Sequence, residues 1–186
     1  MERYRVVFSG SGGQGVITAS IILAEAAVLH EGLNAVQSQS YGPEARGGAT
    51  RSDVIVSDKD IRFPKVNQPN VLICLTQEAY NKFANTIRPG GLLLTDSHFV
   101  KPATKVDARQ VELGMYKEVM DQIGKPVVFN ICVLGAMVGL VPIVKTESIV
   151  KVIETKIPPA FLDMNKKALD LGFRLAEASP FKQREI

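Results

Sequence analysis

Two stretches of the 186-residue chain hold the groups that chemistry would need. The first is Gly10-Ser11-Gly12-Gly13-Gln14-Gly15, a G-x-G-x-x-G run lying after an apolar strand-like segment and before a long apolar helix-like one. Glycines let a backbone turn tightly and let a ligand approach with no Cβ in the way. Amides at the start of the following helix then face an anion, helped by the helix dipole. The residues available for such contact are Gly10, Gly12, Gly13, Gln14 and Gly15. The second stretch is Tyr41-Gly42-Pro43-Glu44-Ala45-Arg46-Gly47-Gly48, where Pro43 stiffens a turn and the Gly47-Gly48 pair frees the backbone. Arg46 offers a two-pronged contact to a phosphate or carboxylate. Tyr41 is suited to anchor an interface. Glu44 contributes to the same loop surface, or pairs with Arg46 or Arg51 and only shapes the loop.

The glycine run admits three readings. A dinucleotide site needs an acid about twenty positions on, for the ribose hydroxyls. The second strand ends instead in Gln37 and Ser38, and no arginine stands there for a 2′-phosphate. The glycines also permit close helix–strand packing with no ligand at all. The third reading is contact with an anion or cofactor shared with another polypeptide.

Metal and thiol chemistry find little support. Cys74 and Cys132 each lie inside an apolar run, with no Cys-x-x-Cys. A cluster needs about four thiolates, so this chain alone is not expected to hold one. His30 and His98 lack ligand-spaced companions, so no metal is expected. Asp96-Ser97-His98 follows a strand, where α/β proteins place ligands, yet shows no nucleophile–base pattern.

Positioning these groups falls to a mixed set of elements. A short strand over 4–8, a buried helix over 16–29 closed by Gly32, and a strand over 34–38 come first. Residues 50–57 alternate and turn at 57–60 toward Ile61 and Phe63, which predicts a hairpin. Val71–Leu75 reads as a strand, with Thr76 capping the helix after it, and Leu92 opens the next strand. Helices are expected near 112–122, 129–139, 147–156 and 160–176. The pattern predicts an α/β fold, a Rossmann-like three-layer sandwich with a mainly parallel sheet, as one domain over 1–186.

Composition agrees: 46% hydrophobic and 22% charged residues exclude a disordered chain. A net charge of +3, without a Lys/Arg run, excludes a dedicated nucleic-acid surface. The longest apolar runs are interrupted by Thr, Ser, Glu or Pro, so no membrane span is expected. With no apolar leader at the start, the expected location is cytoplasmic.

The pair of motifs, Gly-Ser-Gly-Gly-Gln-Gly-Val at 10–16 and Tyr-Gly-Pro-Glu-Ala-Arg-Gly-Gly at 41–48, resembles the two signatures of the gamma subunit of 2-oxoacid:ferredoxin (acceptor) oxidoreductases. The resemblance continues through Asn70-Val71-Leu72-Ile73, Pro89-Gly90-Gly91, Asn130 with Leu134-Gly135-Ala136, and Asn165, Ala168, Gly172 and Phe173. The pyruvate type tends to carry Arg in place of Ser11, Phe in place of Tyr41 and Arg in place of Ala45, so the pattern is closer to the 2-oxoglutarate type. The branched-chain and pyruvate types remain alternatives, and the indolepyruvate type matches the second motif less well.

That resemblance implies a chain working only inside a complex that decarboxylates a 2-oxoacid oxidatively to an acyl-coenzyme A and reduces ferredoxin or a similar acceptor. Thiamine diphosphate, Mg and iron–sulfur clusters are then expected on alpha, beta and ferredoxin-like delta partners, with coenzyme A as co-substrate. Gly10, Gly12, Gly13, Gln14, Gly15 and Arg46 are the implied cofactor-contacting set, and Tyr41, Gly42, Pro43, Glu44, Gly47 and Gly48 the implied interface. No residue of this chain is expected to be catalytic or to bind metal. Two rivals of another class are a stand-alone nucleotide-binding module and an NAD(P)-dependent dehydrogenase.

Overall fold

Apolar side chains alternate between two sides of each central strand, as a sheet covered on both faces requires. In a computed structural model describing residues 3–40, 49–103 and 105–180, Val6 and Phe8 of β1 (Tyr4–Gly10) enter one core cluster and Val7 the other. β3 (Thr50–Ser57), β4 (Val71–Cys74) and β5 (Gly91–Asp96) divide in the same way: Val54, Ile73 and Leu94 face one side, Ile55, Leu72 and Leu93 the other. With β2 (Asn34–Ser40) and β6 (Ala108–Leu113) at the edges, the six strands run in the order β2-β3-β1-β4-β5-β6. Only β3 opposes the rest, being antiparallel to both β1 and β2. The other neighbouring pairs are parallel.

Helix α1 (Val16–His30) crosses one face, joined there by α3 (Met115–Gln122), α4 (Phe129–Leu140), α5 (Thr146–Lys156) and α6 (Pro159–Ala178). On the other face α2 (Gln77–Phe83) packs Ala79, Tyr80 and Phe83. The expected α/β three-layer arrangement with a mainly parallel sheet is therefore the observed one. Thr76 caps α2 as anticipated, its Oγ1 accepting from the Ala79 amide at 3.1 Å. Gly32 ends α1 at φ +65°, and the Leu33 amide donates back to the Ala27 carbonyl at 3.0 Å.

Two expectations fail locally. No hairpin joins β3 to Ile61 and Phe63, because β1 and β2 already occupy both edges of β3. The connection instead lays Ile61 and Val66 against the second core cluster. Residues 108–113 form a strand, and the helix expected from 112 begins at Met115. Edge position explains why this strand is hard to see: polar Arg109, Gln110 and Glu112 outnumber its buried Val111 and Leu113.

α4 is buried almost all round, and glycines let α6 lie directly on it. A Cβ at Gly172 would overlap the Cys132 carbonyl, and one at Gly135 the Leu169 carbonyl. This close contact brings the starts of α4 and α6 to one end of the sheet, beside the first glycine run.

Candidate functional site

β1 and β4 are parallel neighbours, and the chain leaves β1 for α1 on one face and β4 for α2 on the other. Such a switch point opens a crevice at the carboxyl ends of the strands. The run Gly10–Gly15 lies in that crevice. Gln14 braces it: Oε1 accepts from the Ser11 amide at 2.7 Å and Nε2 donates to the Leu75 carbonyl at 3.1 Å. The Gln14 amide donates to the Ser11 carbonyl at 3.3 Å, so it is engaged within the loop rather than offered outward.

The glycines of the loop separate by cause. At Gly10 a Cβ would stand 2.5 Å from Gln14 Oε1 and 3.2 Å from Leu75 Cβ. At Gly15, with φ +69°, it would meet the Asn130 side chain at 2.5–2.9 Å. These two serve packing. Gly13 has φ +91°, which favours glycine on conformational grounds. Gly12 has no heavy atom within 4 Å of its would-be Cβ and no left-handed φ. Nothing among the described residues requires glycine at position 12.

Helix α1 starts from this loop without a side-chain cap. Its first internal bond runs from the Ala19 amide to the Gly15 carbonyl at 3.0 Å. The amides of Val16, Ile17 and Thr18 therefore precede the helical ladder with no partner among the described residues. Beside them is a cavity of about 450 Å³, bordered by Gly13, Gly15, Thr18, Val127, Asn130 and Phe161. Val127 is 73% and Phe161 51% exposed, so the mouth is apolar. Asn130, only 7% exposed, gives Nδ2 to the Gly15 carbonyl at 3.3 Å, while its buried Oδ1 has no partner among the described residues. The arrangement suits a ligand with an anionic group for the amides and a less polar part for the cavity.

The second glycine stretch, with Tyr41, Gly42, Pro43, Glu44, Arg46, Gly47 and Gly48, lies outside the described residues. Its two roots do not. β2 ends at Ser40, and Thr50 pairs with Gly10 across β3 and β1. Ser9 Oγ also donates to the Thr50 carbonyl at 3.0 Å. Both glycine stretches are thus rooted at one edge of the sheet. Arg51, considered as a partner for Glu44, is paired with Asp53 at 2.7 Å and lies over the Phe83 ring at 5.3 Å.

Where a dinucleotide would want its ribose acid, Gln37 turns into a buried polar cluster. Its Nε2 donates to Ser52 Oγ at 2.8 Å, and Ser52 meets Ser20 Oγ at 2.7 Å. Asp96 does structural work, accepting from the His98 amide at 2.9 Å and the Tyr116 amide at 2.8 Å to hold the start of α3. Burial raises its carboxyl pKa against the lowering effect of those amides. His98 stacks on Tyr116 with centroids 4.9 Å apart. Burial pushes the Cys74 and Cys132 thiols up to about 12, which removes thiolate chemistry. Among the described residues no three His, Cys, Asp or Glu side chains are grouped to hold a metal.

A family model described as pyruvate ferredoxin/flavodoxin oxidoreductase matches residues 5–175. The chain belongs to that family. Within the pyruvate ferredoxin/flavodoxin oxidoreductase family, the 2-oxoglutarate synthase subunit KorC of Methanocaldococcus jannaschii is 41% identical over 177 residues, covering 94% of this chain and 95% of the relative. The solved gamma subunit of a keto/oxoacid ferredoxin oxidoreductase from Geobacter sulfurreducens is 42% identical with a TM-score of 0.86, covering 95% and 99% of the two chains. The fold also recurs, at 21% identity and a TM-score of 0.86, within a 2-oxoglutarate:ferredoxin oxidoreductase chain of Magnetococcus marinus, where 97% of this chain matches 32% of that longer one.

For this family member, sequence reasoning reached the loop but not its neighbours. The cavity residues Val127 and Phe161 were not anticipated as part of the site, and Asn130 was noted only as a matching position. One signal was available: Asn130 is a lone amide in an otherwise apolar helix. Its burial against Gly15 required the α1–α4 packing to be known.

Proposed function

We propose that the chain is the gamma subunit of a 2-oxoglutarate:ferredoxin (acceptor) oxidoreductase, inactive alone and active in a complex that converts a 2-oxoacid to an acyl-coenzyme A. The observation that carries the substrate assignment is the full-length similarity to a KorC subunit at 41% identity. Full-length similarity to a separately solved gamma subunit supports the role. Thiamine diphosphate with Mg supplies decarboxylation, and iron–sulfur clusters supply electron transfer, on alpha, beta and delta partners.

The chain's own part is placement. The amides of Gly12, Gly13 and Val16–Thr18, which have no partner among the described residues, take an anionic group, with a coenzyme A phosphate the group we assign. Gly10, Gln14 and Gly15 hold the loop in shape. Arg46 adds a paired contact to phosphate or carboxylate. Tyr41, Gly42, Pro43, Glu44, Gly47 and Gly48 meet the thiamine-bearing partner, and the chain acts as one unit over 1–186. Among the described residues no helix is long and apolar enough to cross a membrane, and the complex is proposed to work in the cytoplasm.

Acceptor-linked turnover of the assembled complex with 2-oxoglutarate, pyruvate and a branched-chain 2-oxoacid tests the reading. The highest kcat/KM is expected with 2-oxoglutarate. Preference for either other acid overturns the substrate assignment, and failure to copurify with thiamine- and cluster-bearing chains overturns the subunit role.

A further inference from the structure

The glycine loop and its cavity lie at the carboxyl ends of the parallel strands. A different set of side chains gathers at the amino ends, on the face of the sheet that α2 covers. The connection from β3 to β4 crosses that face and rests Ile61 and Val66 on the second core cluster. Its exposed residues Phe63, Lys65, Asn67 and Gln68 border an open cleft of about 780 Å³ with Arg5 of β1 and Arg88 before β5. Arg5 leaves β1 on the same side as Val7 of that cluster.

The charge in this cleft is of one sign. Arg5, Lys65 and Arg88 line it, and among the described residues no carboxylate does. Arg5 is half-buried, and neither its guanidinium nor the Lys65 ammonium has an ion pair or hydrogen bond among the described residues. A cleft lined by one sign of charge concentrates the opposite ion, and a guanidinium donates to two oxygens of a phosphate at once. A bare anion would leave the other walls unused. Phe63 is 58% exposed and offers a flat apolar face on which a planar ring can stack. The Asn67 and Gln68 amides present donors and acceptors together, as the edge of a nitrogen heterocycle requires.

The frame of the cleft is set by backbone contacts. The Arg5 amide donates to Asn70 Oδ1 at 2.9 Å, and the Asn70 amide donates to the Arg5 carbonyl at 2.8 Å. The Arg88 amide donates to the Pro69 carbonyl at 3.1 Å. The three segments that carry the cleft are therefore tied to one another before a ligand arrives, which lowers the ordering cost of binding.

We propose that this cleft binds a nucleoside diphosphate, its phosphates on Arg5 and Lys65, its base on Phe63 and the edge of the base toward Asn67 and Gln68. The site lies at the other end of the strands from the glycine loop and does not rest on the reading given for that loop.

The test is calorimetric titration of the full chain with ADP, pyrophosphate and adenosine. ADP is expected to bind more tightly than either fragment. Pyrophosphate binding as tightly as ADP would show a simple anion site and overturn the proposal, as would adenosine binding as tightly as ADP or no binding of ADP at all. Arg5→Gln and Lys65→Glu are each expected to weaken ADP roughly tenfold or more. Phe63→Ala is expected to weaken ADP roughly fivefold or more and to leave pyrophosphate unchanged. Thermal melting checks that the variants fold. ADP affinity untouched by both Arg5→Gln and Lys65→Glu would place the nucleotide elsewhere. Lys151→Glu repeats the charge change of Lys65→Glu on exposed α5 and is expected to leave ADP binding near the unmodified level; an equal loss there would show bulk charge alone and overturn the proposal. In the copurified complex, ADP is expected to slow acetylation of Lys65. An unchanged rate overturns the proposal, and so does a Lys65 that is unreactive before ADP is added, because a partner then covers the cleft.

Discussion

Gly12→Ala separates a loop built for the fold from a loop built for something outside the chain. A Cβ at position 12 finds no heavy atom within 4 Å, and the residue is not in the left-handed region. Replacing glycine at a compatible position stabilises by roughly 0.4–1 kcal/mol through the unfolded chain. At about 2–4 °C per kcal/mol for a chain of this size, the isolated protein is expected to melt level with the unmodified chain or up to ~4 °C above it. The consequence for binding runs the other way. A methyl group on the approach face displaces an anion from amides, and losing one or two charge-assisted hydrogen bonds costs about 1.5–3 kcal/mol, or roughly 10- to 150-fold in affinity. Differential scanning fluorimetry of the free chain, paired with coenzyme A KM and turnover in the reconstituted complex, reads both effects. Gly15→Ala is the contrasting control. Its φ of +69° and the Asn130 side chain at 2.5–2.9 Å predict a lower melting temperature before any ligand is considered. Should Gly12→Ala melt several degrees low, the glycine serves the fold. Should it melt normally and leave coenzyme A KM, turnover and assembly untouched, nothing approaches the loop and the reasoning is refuted.

Arg46→Ala in the reconstituted complex is expected to raise apparent KM for coenzyme A or substrate, or to weaken assembly, with the free chain's melting unchanged; if all are unaltered, the second loop has no binding role. Gly172→Ala drives a methyl into the Cys132 carbonyl and is expected to cost about 1–3 kcal/mol or more, seen as a lower chemical-denaturation midpoint; an unchanged midpoint would show that α6 can lift off α4 freely. Glu31 accepts from Ser148 Oγ at 2.6 Å and from the Lys145 amide at 2.8 Å, and the Ser148 bond foremost holds its carboxyl below 4.5. Stability from this link is fully present above that ordinary value and is lost as pH falls through the lower folded one. Glu31→Gln is therefore expected to flatten the acid limb of a melting-temperature profile from pH 7 to 3, whereas an unchanged slope would remove Glu31 as a contributor. Native Cys74 and Cys132, with thiols pushed up to about 12, are expected to resist a thiol reagent at pH 8 until denaturant is added; a rapid reaction in the folded state would contradict their burial.

Local chemistry was enough to make most elements legible. Apolar runs such as Val71–Cys74 and Gly91–Asp96 become strands buried on both faces, and Gly32 and Thr76 end and begin helices through their own conformational and hydrogen-bonding preferences. The glycine loop was readable for the same reason: it follows a strand and starts a helix within a few residues. Strand pairing was not, because it depends on partners distant in sequence. β3 forms no hairpin with the residues after it, since β1 and β2 take both its edges. The edge strand β6 has too few buried residues to announce itself. The sorting of glycines was likewise a tertiary matter: Gly10 and Gly15 are needed by Leu75 and Asn130, 65 and 115 positions away. Most elements and the glycine motif follow from neighbouring residues alone, because propensity and capping act over a few residues. Which glycines face neighbours and which amides stay open depends on packing, because such proximities arise only when distant strands and helices close on a common core.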